Sequence, residues 1–200
     1  MKTRTIFASI AAFSFGFTVG AFAADSATQP TIQIIEASGN LESKYDVGCI
    51  GMDKVESKYT PTDLYKSMSK CVDSEMYEKG AFLFAIAGTY GRFDTFRVVD
   101  KTAHQAVDVA FMQALGALDE SKRVEFQKNI KEILGSPEGL AVACREIVRI
   151  GVPDYYPRYM IQHGMGAFTK RGDGEELAKD FDTKAAWKKS LDTYLHCPII

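Results

Sequence analysis

The run Arg92-Phe93-Asp94-Thr95-Phe96-Arg97, followed by Asp100 and His104, gathers the residue types best suited to acid–base chemistry. A carboxylate beside a histidine holds its tautomer and raises its basicity, which is what a general base requires. On a helix His104 and Asp108 share a face, and Asp100 is near enough in sequence to reach the same ring. Asp94, Asp100 and His104 are therefore the candidate acid–base residues of a hydrolase acting on cell-wall or small-molecule substrates. No convincing nucleophile accompanies them: a Gly-x-Ser-x-Gly elbow is absent, and the cysteines are expected to be oxidised. The competing expectation is structural, with Arg92, Asp94, Arg97 and Asp100 hydrogen-bonded to anchor the turn between two core helices.

A second concentration lies in DYYPRYMIQHGMGAF, Asp154 to Phe168. Tyrosine and arginine bury large rigid area while keeping a polar tip, and both are enriched at interface hot spots. Tyr155, Tyr156, Arg158 and His163 are accordingly the candidate binding residues. Pro153 and Pro157 set the chain direction, while Gly164 and Gly166 let it turn away again. That pattern predicts Tyr155, Tyr156 and Arg158 at least partly exposed, with Tyr159 and Met160 turned inward. The plainer alternative is an aromatic loop closing over the core. His163 falls at the end of the short helix expected from Pro157 to Gln162, where the helix dipole favours an imidazolium.

Other chemistries leave no trace. GTYGRF and HGMGAF match neither a phosphate loop nor a dinucleotide fingerprint. The three histidines form no HExxH or HxH pattern, and no close cysteine pair exists, so neither a metal site nor a cofactor is expected.

The N-terminus reads as a secretory signal peptide over residues 1–23. Lys2 and Arg4 supply the positive start, Ile6 to Val19 the apolar stretch, and Ala21 and Ala23 the small residues before cleavage. The apolar run is shorter than the ~20 residues of a spanning helix, so no membrane insertion is expected. Export implies an oxidising compartment, the periplasm, and four cysteines then suggest two disulfides. Three pairings are possible; Cys49–Cys71 with Cys144–Cys197 is favoured because it ties each end of the chain to a helix. The formal charge of −2 becomes more negative by two once Lys2 and Arg4 are removed. This mild acidity, with no basic stripe, argues against nucleic acid as a partner.

Helical signals dominate the rest of the chain. Thr60-Pro61-Thr62-Asp63 opens one helix with a capping threonine and proline at the first position. A second is expected from Asp73 or Ser74, apolar almost all round and hence central. Thr102-Ala-His-Gln105 reads as a capping box before a regular stripe from Ala103 to Leu118. Further helices span Ser121 to Leu134 and Ser136 to Gly151, and Asp182 caps a last one carrying Trp187. Thr31 to Glu36 forms either a short strand or an extended segment. The predicted fold is all-α: a single disulfide-stabilised bundle of six or seven helices with a short extended N-terminal segment. Its divisions are residues 1–23 (signal peptide), 24–58 (extended leader and loop) and 59–200 (helical domain). The functional expectation is a periplasmic binding domain with a protein partner, such as an inhibitor or immunity-type protein that neutralises a toxic enzyme.

Overall fold

The computed structural model describes residues 36–169 and 175–197. The expected signal peptide, and the Thr31–Glu36 segment apart from Glu36 itself, lie outside the described residues. Within them the protein is all-α, with seven α-helices and no strand. No helix among these residues is long and apolar enough to cross a membrane.

Helix α1, Pro61–Asp73, begins on a reciprocal cap. Thr60 Oγ1 accepts from the Asp63 amide, and Asp63 Oδ2 accepts from the Thr60 amide at 2.9 Å. The other Asp63 oxygen accepts from Ser43 Oγ and the Tyr45 amide, both at 2.9 Å, so one buried carboxylate also moors the N-terminal segment. Helix α2, Tyr77–Arg97, starts later than the sequence suggests. Helix α1 continues to Asp73, and Glu75 then takes a left-handed φ of 61°, which neither helix can accommodate. The all-round apolar surface of α2 makes it the central helix, with α1, α4 and α7 packed around it. Leu64, Met68 and Val72 of α1 and Leu83, Ile86 and Tyr90 of α2 are buried together with Phe126 and Ile147.

Helix α3, Ala106–Gly116, is preceded by a 3₁₀ turn over Lys101–Gln105. The cap expected at Thr102 is supplied instead by Asp100, whose Oδ1 accepts from the Thr102 amide at 2.9 Å and from its hydroxyl at 2.6 Å. The Thr102 hydroxyl, which donates to Asp100 and accepts from the Met165 amide, is spent on these partners and caps no amide of the turn. Helices α4 (Glu120–Leu134) and α5 (Pro137–Ile150) follow, the latter capped by Ser136 Oγ on the Gly139 amide. A four-residue α6 (Arg158–Ile161) and then α7 (Thr183–Ser190), capped by Asp182, complete the set. A π turn over Leu191–Leu195 extends α7 towards Cys197. The cysteines are joined as Cys49–Cys71 and Cys144–Cys197, and no described cysteine is free. A second, smaller core of Val98, Ala103, Ala106, Tyr159, Met160 and Ile161 packs the 98–106 turn against α6.

Candidate interaction site

Asp94 is fully buried near the end of α2 and is surrounded by donors. Arg97 places Nε at 2.8 Å and Nη2 at 2.7 Å from Oδ1. The approach of Nη2 is close but poorly directed, so it contributes charge more than a hydrogen bond. Oδ2 accepts from the hydroxyls of Tyr155 at 2.9 Å and Tyr159 at 2.7 Å. The Arg97 guanidinium lies over the rings of Phe93 and Tyr155, centroids 5.1 and 5.0 Å away, which encloses it further. Burial pushes the Asp94 carboxyl up, against the opposing pull of Arg97 and the two hydroxyls. Burial likewise drives both phenols well above their ordinary range, so they remain donors. Two tyrosines of the Asp154–Phe168 stretch are thus bolted to the central helix.

The rest of that stretch is held from three other sides. The Asp154 amide donates to the Ser57 carbonyl at 2.8 Å. Arg158 Nη2 donates to the Ser38 carbonyl at 3.1 Å, and His163 Nδ1 lies 2.9 Å from Asn40 Oδ1. Leu41 adds a backbone bond to the Tyr159 carbonyl, so residues 38–41 strap the short helix α6. Asp100 fastens the far end through Oδ2, which accepts from the Gly166 amide at 2.8 Å. A Cβ at Gly164 would run into the same carboxylate, which is why the loop approaches so closely there. Thr102 Oγ1 accepts from the Met165 amide at 2.8 Å. Although burial alone would raise Asp100, bonds from Thr102 and Gly166 and the nearby His104 outweigh it and leave its carboxyl below the ordinary range.

The binding candidates consequently divide. Tyr156 and Arg158 are exposed, whereas Tyr155 is only partly so and sends its hydroxyl onto Asp94. Tyr159 and Met160 are buried. Tyr156 directs its hydroxyl onto Glu176, and His163 and Arg158 spend polar contacts on the N-terminal segment. Beside them, Val98, Val99, Ile161, Met165 and Ala167 line an open cleft of about 800 Å³ with Asp100, Glu175 and Glu176 at its edges.

The acid–base candidates are not assembled as one site. Asp94 is occupied by Arg97 and the tyrosines, Asp100 by backbone amides and Thr102. His104 instead places Nε2 2.9 Å from the Val98 carbonyl. The network expected of Arg92, Asp94, Arg97 and Asp100 splits likewise: Asp94 and Arg97 turn inward, while Arg92 meets Thr193 of the π turn after α7. Among the described residues no cluster of three His, Cys, Asp or Glu side chains is placed to hold a metal ion. Sequence reasoning missed Val99, Glu176 and Met165 as parts of the face. The first two meet through the Val99 amide and the Glu176 carbonyl at 3.0 Å, a pairing that the sequence does not signal. Compared with protein families, curated proteins and solved structures, the chain gives no match.

Proposed function

We propose that this is an exported, periplasmic domain that binds another protein, in the manner of an inhibitor or immunity-type protein, through the face built on residues 98–102, 154–168 and 175–179. One observation carries the reading: Val99 (51% exposed), Tyr156 (47%), Met165 (61%) and Phe168 (45%) lie exposed on chain segments that the Asp94 and Asp100 contacts fasten down. Large apolar side chains on a pre-ordered backbone lose little freedom on association, which is the condition for a hot spot. The signal-like N-terminus and paired cysteines support export. The crowding of Asp94 and Asp100 by donors favours a positioning role for them over acid–base catalysis.

The test is capture of the partner from periplasmic extract on the tagged chain, identification by mass spectrometry, and titration of the purified pair. Tyr156→Ala combined with Phe168→Ala should weaken that affinity by more than about 2 kcal/mol and leave the melting temperature unchanged. An unaltered affinity would remove this face from consideration.

A further inference from the structure

A second cleft borders α2 and carries a different chemistry. It encloses about 490 Å³ between α2 and the segment from the 3₁₀ turn into α3, and is lined by Gly88, Arg92, Phe96, His104, Asp108 and Tyr194. That volume lies within the range of small-molecule sites, ~300–1,000 Å³. Gly88 lets the Tyr194 ring lie against α2, where a Cβ would collide with it. Arg92 and Lys189, from different helices, converge on the ring of Phe96, with centroid distances of 4.8 and 4.7 Å. Arg92, the cation on the cleft wall, forms no ion pair among the described residues. Arg92 is further aimed by its Nε bond to Thr193 Oγ1 at 3.2 Å, which leaves its terminal nitrogens for a planar anion.

The α3 side offers the complement. Asp108 is exposed on the cleft wall and likewise forms no ion pair among the described residues. The Val98 carbonyl can only accept, so the neutral His104 ring carries its hydrogen on Nε2 and keeps a lone pair on Nδ1. Burial pushes the Tyr194 phenol up to about 12, which keeps it protonated beside them. The cleft therefore sets the Arg92 guanidinium against the acceptors of Asp108 and His104.

We propose that this cleft binds a small zwitterion, a free amino acid or short peptide, with its carboxylate on Arg92 and its ammonium on Asp108 and His104. Carboxylate recognition uses the guanidinium fork, and the ammonium donates to Asp108 and to the Nδ1 lone pair.

The experiment is an NMR titration of the full chain with glycylglycine at constant ionic strength, using acetate and methylammonium as half-ligands. Saturable shifts of the His104 ring and the 104–108 amides are expected with glycylglycine, with at least about tenfold weaker binding of either half-ligand. Arg92→Gln and Asp108→Asn should each weaken glycylglycine at least about tenfold, and Arg92→Lys should fall between wild type and Arg92→Gln. If Arg92→Gln does not fold, Asp108→Asn on the α3 side carries the comparison. Absence of saturation, equal affinity for acetate and glycylglycine, or unchanged affinity in the Gln and Asn variants would overturn the proposal.

Discussion

Arg92 and Arg97 leave α2 within two turns of each other and meet opposite environments. Arg97 turns inward to the buried Asp94 carboxylate and is covered by Phe93 and Tyr155. Arg92 turns outward onto Phe96, and among the described residues a threonine hydroxyl is its one side-chain polar partner. The difference lies in what faces each residue across the fold. Beyond Arg97 stand the tyrosines of the Asp154–Phe168 stretch, whose hydroxyls share its carboxylate; beyond Arg92 lies an open cleft. A charge matched inside the molecule organises the scaffold, and one left outside is available to a ligand.

The largest effect should come from breaking the inward member. Asp94→Ala leaves Arg97 enclosed without its anion and two tyrosine hydroxyls without their acceptor. The expected loss is about 3–5 kcal/mol, measured by urea denaturation. A loss below ~1 kcal/mol would mean that the ion pair behaves as a surface pair. Because Tyr155 and Tyr159 are released together, the same variant should speed amide exchange across 154–161.

A smaller effect is expected at Asp100, where pH is the lever. Its folded-state carboxyl lies below its ordinary value of 3.8, so the stability it lends is complete above that value. As pH falls through the lowered folded-state value, protonation should cost the loop its anchor. The Gly166 amide resonance should shift and its exchange accelerate over that window, while Asp100→Asn removes the acid-dependent step. The smallest effect belongs to the outward arginine: Arg92→Gln should leave the melting temperature where it is, since Arg92 is exposed and unpaired among the described residues. A marked fall in melting temperature would show that Arg92 belongs to the scaffold, and the contrast with Arg97 would collapse.

Much of the scaffold was legible because its signals are local. Thr60 with Asp63, Ser136 with Pro137, and Asp182 act on amides within three residues, and each cap forms. Local signals misled where a side chain found another partner, as at Thr102, whose hydroxyl turns to Asp100 and the Met165 amide. They misled again at Ser74, expected to open the second helix, because the left-handed backbone of Glu75 delays that helix to Tyr77. The site was only half legible. Aromatic and arginine content marked the Asp154–Phe168 stretch, but Tyr155 and Tyr159 find Asp94 across 61 and 65 residues, and His163 finds Asn40 across 123. Such partners are set by tertiary packing, to which residue spacing is blind. The same limit explains why His104, four residues before Asp108 in sequence, turns to the Val98 carbonyl once the 3₁₀ turn replaces the expected α-helical start.

The central claim is that a partner protein sits on the face above the Asp94 and Asp100 anchors. Hydrogen–deuterium exchange on the purified complex, compared with the free chain, addresses it most directly. Binding should slow exchange in 98–102, 156–168 and 175–179 and leave the amides of α4 and α5 unchanged. Protection confined to α4 and α5, with the 156–168 amides exchanging as in the free chain, would contradict it.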